Sequence, residues 1–182
     1  MIKENIFELN IDLVFKYESL RLKNIFINQN DNLIFEHYFW KKIFQVWMEV
    51  ILNENKFSNL STLKCKSSNF SLSFEIIDDE FIADLNQKWL NKKGPTDVLS
   101  FPILYEKDLY VEIPCIELGD LFISIETAQK QAQSFNNSLR EEMIWLASHG
   151  FLHLLGWDHR DKNELDEMLV FQEYLISKLN LI

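Results

Sequence analysis

The segment from residue 143 to residue 155 constrains the fold of this chain most. It is apolar on nearly all sides, and its only ionisable residues are His149 and His153. A helix that is apolar all round is buried in a protein core. The segment therefore predicts a central, buried helix at about residues 139–155.

The flanks of this segment predict where the helix begins and ends. Ser138 and Glu141 have the spacing of a capping box, in which each residue bonds the backbone of the other at the start of a helix. Gly156 predicts the end, because glycine takes the positive φ of a C-terminal cap without strain. The chain can then turn and bring His159 back towards the helix.

The spacing of the three histidines predicts a metal site. Side chains four residues apart share one face of a helix, so His149 and His153 can converge on one ion with His159. Three protein ligands and an open fourth position are typical of a catalytic zinc ion. The alternative is two core histidines bonded to backbone carbonyls, with His159 on the surface. Burying such imidazoles without partners costs roughly 1–3 kcal/mol per group, which a shared metal removes.

The same spacing, H-x-x-x-H-x-x-G-x-x-H, occurs in the metzincin zinc proteases, with one difference. Those enzymes carry Glu after the first His as the general base. Here that position is Gly150. The pattern therefore predicts one bound zinc ion but argues against a zinc peptidase.

Charge and composition limit the classes of function. The net charge of −10 argues against broad non-specific binding to nucleic acid, which relies on many Lys and Arg contacts with phosphate. RNA binding would need a local basic patch, and the candidates are Lys88, Lys92 and Lys93. The alternative is that these lysines form a solvated helix end, where cations suit the helix dipole.

Several features predict a cytoplasmic protein. Acidic residues at positions 4, 8 and 12 interrupt any signal-peptide core, and no apolar run is long enough to cross a bilayer. Cys65 and Cys115 show no CxxC pairing and are interpreted as ordinary thiols. No membrane association and no nucleotide cofactor are expected.

Hydrophobic periodicity predicts strands interleaved with helices. The predicted strands are residues 5–16 at a sheet edge, 70–76, 98–101 and 121–125, with a loop at 23–33, a variable connection at 54–69 and an excursion at 103–117. The predicted helices are residues 35–53, 79–91 (with Phe81, Ile82, Leu85 and Trp89 facing inward), 126–134, 139–155, and a last helix opened by Asp161 and Glu164. His37, in the first helix, is interpreted as structural. Such an order indicates an α/β or α+β fold, and a chain of 182 residues is expected to form a single domain, 1–182.

Residues 149–159, the GPTDVLSFP segment at 94–102 and the Gly119-Asp120 pair resemble the YbeY endoribonuclease family. The resemblance is close over 70–160 and loose over 1–69. It implies a small, mostly parallel sheet covered by helices, and zinc held by His149, His153 and His159.

It also implies a single-strand endoribonuclease that matures the 3′ end of 16S ribosomal RNA and takes part in late-stage 70S ribosome quality control. Ribosomal RNA and the small ribosomal subunit would be its partners. Zinc with an open position lowers the pKa of bound water to about 7, which suits phosphodiester hydrolysis.

The sequence departs from the family pattern at one position and leaves the general base open. Many family members carry Arg after the aromatic residue that ends the helix before the PTD segment, but Leu90 follows Trp89 here. Asp158 is a candidate base or a hydrogen-bond acceptor for a ligand histidine, or else a cap of the last helix. Asp97 either lines the cleft or only builds a turn. The alternative function is a non-catalytic ribosome-assembly factor that zinc stabilises.

Overall fold

The computed structural model describes residues 7–15, 31–54, 69–103 and 114–179. Within these ranges the elements, in chain order, are β1 (Glu8–Phe15), a 3-10 turn (Asp31–Phe35), α1 (His37–Asn53), β2 (Asn69–Ile77), α2 (Asp79–Leu90), β3 (Val98–Pro102), β4 (Ile116–Ser124), α3 (Ile125–Phe135), α4 (Leu139–Leu154) and α5 (Lys162–Ser177). The predicted interleaving of strands and helices is confirmed. Only residues 31–33 of the loop predicted at 23–33 lie within the described ranges, and they form the start of the 3-10 turn. The connection predicted at 54–69 lies outside the described ranges except for its first and last residues, and Cys65 lies outside them.

The strands form one sheet in the order β1-β2-β4-β3. β1, β2 and β4 run parallel, whereas β3 pairs antiparallel with β4 and forms the opposite edge from β1. In β2 buried side chains alternate with half-buried ones, which is the pattern that predicted a strand with one buried face. The sheet is therefore small and mostly parallel, as expected.

β4 is longer than its sequence pattern predicted. It begins at Ile116, inside the stretch interpreted as an excursion, rather than at residue 121. Gly119 explains why the alternation expected of a strand could not be recognised before residue 121. It has φ +121°, and a Cβ there would lie 2.1 Å from the carbonyl oxygen of Phe101. This close approach of β3 interrupts the regular alternation of side chains along β4.

Helices cover both faces of the sheet. On one face an aromatic cluster joins three elements, because the Phe44 ring of α1 lies 5.6 Å from Phe74 of β2 and 5.2 Å from Phe151 of α4. On the other face Ile82 of α2 belongs to a second, smaller buried cluster with Ile77, Leu99 and Phe122. Among the described residues, no helix is long and apolar enough to span a bilayer.

The two ends of α2 follow sequence rules, but one predicted side-chain direction is wrong. The Asp78 side chain accepts a hydrogen bond from the Phe81 N–H at the start, and Asn91 ends the helix with φ 54°. Ile82 is buried as expected, but Trp89 is 61% exposed. Among the described strands β3 lies at the edge of the sheet, and none extends the sheet beyond it under the last turn of α2.

Candidate metal centre

The central helix α4 is held at its N-terminus by two carboxylates. Ser138 and Glu141 form the predicted capping box, with each side chain bonded to the other residue's backbone N–H. Asp31 adds a bond from the Arg140 N–H at 3.1 Å. Beyond this first turn the helix is buried on most sides, which confirms the prediction made from residues 143–155.

Gly156 lies just after the end of α4, as predicted, and the chain turns back towards the helix there. It has φ 91°, its N–H bonds the His153 carbonyl, and the Trp157 N–H bonds the Leu152 carbonyl at 3.0 Å. These two bonds constitute a Schellman motif. The motif directs the chain so that His159, three residues further on, faces the two helical histidines.

The three histidine rings face one another across a small gap. Their ligand nitrogens all lie within 4.8 Å of one another, and Nε2 of His149 is 3.2 Å from Nε2 of His153. Two nitrogens bound at 2.0–2.1 Å to a tetrahedral zinc ion would be separated by about 3.3 Å. The three side chains can therefore hold a metal ion, and the separation of the two helical nitrogens suits zinc. Their role as ligands stays a prediction.

The fourth histidine is separate from this group. His37 begins α1, and its Nε2 bonds the Ile11 carbonyl of β1 at 2.9 Å. Its structural interpretation is confirmed, and it joins the first helix to the edge strand.

Gln172 of α5 orients His149, a contact that the sequence analysis missed. The amide is fully buried, its Nε2 donates to the Trp145 carbonyl at 2.8 Å, and its Oε1 lies 3.2 Å from His149 Nδ1. Because the amide N–H₂ faces a carbonyl, the oxygen faces Nδ1, which must then carry the proton. Nε2 of His149 is left with a lone pair directed at the other histidines, the arrangement usual for metal-bound imidazoles.

Burial keeps the helical imidazoles neutral. It lowers the pKa of His149, and together with the neighbouring rings of His149 and His159 it lowers the pKa of His153 to about 4. A neutral imidazole is the form that binds metal, so at neutral pH the site binds an ion without first losing a proton from these rings.

Packing explains why position 150 holds glycine. A Cβ on Gly150 would lie 2.2 Å from Leu121 Cδ1, 2.9 Å from Ser100 Oγ and 3.1 Å from Val98 Cγ2. Ser100 Oγ also donates to the Gly150 carbonyl at 3.1 Å. The face of α4 that carries the general base of the metzincins is pressed against the sheet here. A glutamate at this position has no space.

The histidines line a cleft of about 880 Å³ between α4, β3 and the end of α2. Asp97 and Asp158 also line it. Both oxygens of Asp97 accept bonds: Oδ1 from the Val98 N–H and the Thr96 hydroxyl, and Oδ2 from Gln131. Asp97 therefore lines the cleft and also builds the turn into β3, so the alternative that it only builds a turn is wrong.

Asp158 has a different environment. It is exposed, and its Oδ1 accepts the His159 N–H at 2.9 Å, which fixes the turn that carries the third histidine. The cap of α5 is Asp161, whose carboxylate accepts the N–H groups of Asn163 and Glu164. The interpretation of Asp158 as that cap is therefore wrong.

Of the three candidate lysines, Lys92 lines the cleft. Lys88 and Lys93 are exposed and do not line it, and Lys88 Nζ lies 5.3 Å from the Trp89 ring centroid. Leu90 does line the cleft, at the position where the resemblance implied an arginine. The cleft therefore has an ammonium group and an apolar side chain at this end.

Fold and site together define an α/β protein whose three clustered histidines can hold a metal ion. The family model described as Endoribonuclease YbeY matches residues 24–180. A protein of Prochlorococcus marinus subsp. pastoris with the name Endoribonuclease YbeY is 54% identical over 181 residues, 99% of this chain and 100% of the relative. One from Synechococcus sp. with that name is 45% identical over 76% of this chain and 82% of the relative. The chain belongs to the endoribonuclease YbeY family.

A solved structure has a similar fold. The solution structure of TM1509 from Thermotoga maritima superimposes with a TM-score of 0.50 at 22% identity, covering 93% of this chain and 87% of that chain. At this identity the likeness concerns the fold alone.

Proposed function

We propose that this chain is a zinc-dependent endoribonuclease that cleaves single-stranded RNA. It matures the 3′ end of 16S ribosomal RNA and serves in late-stage quality control of 70S ribosomes, in the cytoplasm and with the small ribosomal subunit as its partner. The observation that carries the proposal is the group of three histidine nitrogens within 4.8 Å of one another in the wall of an open cleft. Membership of the family, whose members carry the name endoribonuclease, supports it.

The residues of the cleft suit phosphodiester hydrolysis. When bound, zinc polarises a phosphoryl oxygen and lowers the pKa of a coordinated water. His149, His153 and His159 would hold the ion, and Gln172 keeps the first of them in the required tautomer. Lys92 lines the cleft, and its ammonium would neutralise a phosphate bound there.

Of the two candidate carboxylates, Asp158 is better suited to move a proton. Asp97 has both oxygens engaged, so protonation there would break the turn into β3. Within the described ranges, Oδ2 of Asp158 has no hydrogen-bond donor, and this carboxylate is close enough to His153 to favour its charged form. We therefore expect Asp158→Asn to lower cleavage with little change in zinc content, whereas Asp97→Asn should mainly lower stability.

One observation favours the second candidate function, a zinc-stabilised assembly factor without catalysis. Leu90 lines the cleft where the resemblance implied an arginine, and none of the described lining residues supplies a planar guanidinium that could clamp a phosphate in two hydrogen bonds. Lys92 supplies charge close by but not that geometry.

The deciding experiment compares cleavage of a single-stranded fragment of 16S ribosomal RNA, carrying the 3′ end, by three zinc-treated proteins. These are the wild type, His153→Ala and the matched control His37→Ala, whose histidine lies outside the metal group. The zinc content and the far-ultraviolet circular dichroism of each are measured beside its activity.

The proposal expects cleavage and one zinc per chain in the wild type and in His37→Ala, and the loss of both in His153→Ala. Equal cleavage by His153→Ala without zinc would refute it. Stoichiometric zinc without cleavage in the wild type would favour the assembly factor.

A further inference from the structure

The last turn of α2 presents an aromatic ring to water beside the histidine cleft. Of the five tryptophans, Trp40 and Trp47 are fully buried and two are half-buried, whereas Trp89 is 61% exposed. A single exposed apolar side chain needs no explanation. Here, however, the next residue, Leu90, is 48% exposed and lines the cleft.

The Trp89 ring is supported from below. Its centroid lies 5.9 Å from that of Phe101, which in turn packs edge-to-face on Phe122 at 5.8 Å. Phe122 belongs to the buried cluster under α2. The indole therefore rests on an aromatic column that reaches the core, and the rest of its surface is left to solvent.

The segment of the chain that carries this ring is basic, although the chain as a whole is acidic. Residues 85–96 contain Lys88, Lys92 and Lys93 and no Asp or Glu, although the whole chain has 28 acidic residues and a net charge of −10. Lys92 lines the histidine cleft. The positive segment is thus continuous with the candidate active site.

We propose that Trp89 is a stacking platform for an unpaired base of the RNA strand whose phosphate enters the histidine cleft. The inference rests on the proposed function and assigns a substrate contact to that same site. An aromatic face combined with neighbouring cations is the usual means of holding single-stranded nucleic acid without reading its sequence. In a duplex both faces of each base are covered by its neighbours, so this platform selects unpaired strands.

Lys88 and Lys92 would contact two different phosphates of the same strand. The Lys88 ammonium lies 5.3 Å from the Trp89 centroid, an exposed contact that a stacked base can replace. The ammonium is then close to the phosphate of the stacked nucleotide. Lys92, on the cleft lining, is placed for a phosphate nearer to the histidines.

The test is a binding measurement on the zinc-loaded, full-length protein. The probe is a fluorescein-labelled 12-nucleotide 2′-O-methyl RNA, single-stranded or annealed to its complement, and its integrity is checked on a gel. The Kd is measured by anisotropy at several salt concentrations for wild type, Trp89→Ala, Trp89→Phe and Phe135→Ala. Phe135 is a matched control, since it is 67% exposed at the end of α3 and does not line the cleft.

Trp89→Ala should weaken single-strand binding roughly 5- to 100-fold without changing the salt dependence, because it removes a stack and no phosphate contact. Trp89→Phe should recover most of the affinity, and Phe135→Ala should bind like wild type. The duplex should bind weakly and equally to all four. Wild-type affinity in Trp89→Ala, or equal losses in the Ala and Phe variants, would overturn the stacking platform.

The same variants separate this inference from the proposed function. Cleavage of RNA with an unchanged Kd and KM in Trp89→Ala would leave the endoribonuclease standing and remove the platform. Single-strand binding that depends on Trp89, in a protein that cleaves nothing, would keep the platform in an assembly factor.

Discussion

On one side of the cleft α4 presents His149 and His153 from a helix that is buried on most sides, whereas on the other side α2 ends with Trp89 and Leu90 in water. The first wall is fixed by packing against the sheet, by a capping box and by a Schellman motif. The second is fixed by fewer contacts: the Asn86 side chain donates to the Gly94 carbonyl, Asn91 ends the helix, and the Trp89 ring rests on Phe101.

This difference separates two kinds of function. Metal ligands have to converge within a few tenths of an ångström, and a rigid, buried helix supplies that precision. A single strand of RNA has many conformations, and an exposed edge can accept it. Substitutions in the α4 wall should therefore change the free energy of unfolding and the zinc affinity together. Substitutions at the end of α2 should change only RNA binding and cleavage.

The largest effect is expected from Gly150→Ala. The added methyl meets Leu121, Ser100 and Val98, so the free energy of unfolding should fall by roughly 1–3 kcal/mol and the zinc affinity should fall with it, because α4 is pushed away from β3. Urea unfolding and titration against a zinc chelator measure the two quantities. Gly94→Ala is the control, since it has positive φ but no atom within 4 Å and tests backbone strain without a clash. Wild-type stability and zinc affinity in Gly150→Ala would show that position 150 is not under packing constraint.

Gln172→Leu should weaken zinc binding about 10- to 100-fold, the usual effect of removing a hydrogen-bond partner from a ligand histidine. Gln172→Glu keeps an acceptor for His149 Nδ1 and should retain more of the affinity, although it loses the bond to the Trp145 carbonyl. Chelator competition gives the affinities, and thermal unfolding of the metal-free proteins gives the stabilities. If stability falls in Gln172→Leu while zinc affinity does not, the amide only supports the packing of α5.

Features that depend on one local physical rule could be predicted from the sequence. The Ser138 capping box, the end of α4 at Gly156 and the buried face of β2 each follow from a few adjacent residues, and the structure has all three. The grouping of the histidines could likewise be predicted, because two of them share a helix face and the third follows a turn set by glycine.

Features that depend on a contact with a distant element could not be predicted from the sequence. Gln172 lies 23 residues from His149, in a helix whose periodicity indicates only that its inner face is buried. Trp89 has the spacing of an inward-facing residue, but it is 61% exposed, and within the described part of the chain β3 is an edge strand with no strand beyond it. A buried polar side chain among apolar ones in α5 was the available signal for Gln172, but its partner could not be named from the chain alone.

Acid should destabilise the metal-free protein because the two buried histidines of α4, His149 and His153, resist protonation in the folded state. In the folded state the pKa of His153 is about 4 and that of His149 is also lowered, below the value of about 6.5 expected in the unfolded chain. The unfolded state therefore binds more protons between these values, so this stability is complete above about pH 6.5 and is lost as the pH falls towards 4.

Urea unfolding of the chelator-treated protein at pH 7.5, 6.5, 5.5 and 4.5 should show this loss, and His153→Gln should show a smaller one. Asp79 does not confuse the result: desolvation raises its pKa, but bonds from Lys130, Ser124 and Thr127 outweigh this and leave it below the ordinary value, so its contribution is lost only at more acid pH. A pH dependence identical in the wild type and His153→Gln would mean that this imidazole does not carry the effect.

The smallest change is expected at the exposed wall, from Leu90→Arg. A guanidinium on the cleft lining can hold a phosphate through two hydrogen bonds, which the flexible point charge of Lys92 does not reproduce. We expect RNA cleavage to rise several-fold, with zinc affinity and unfolding free energy little changed because the Leu90 side chain is 48% exposed. Val170→Arg, at a 68% exposed position on α5 outside the cleft lining, adds the same charge and should leave cleavage unchanged. An equal gain in both variants would mean that net charge limits this acidic protein, whereas a loss of stability in Leu90→Arg alone would contradict the assignment of this wall to substrate rather than to the fold.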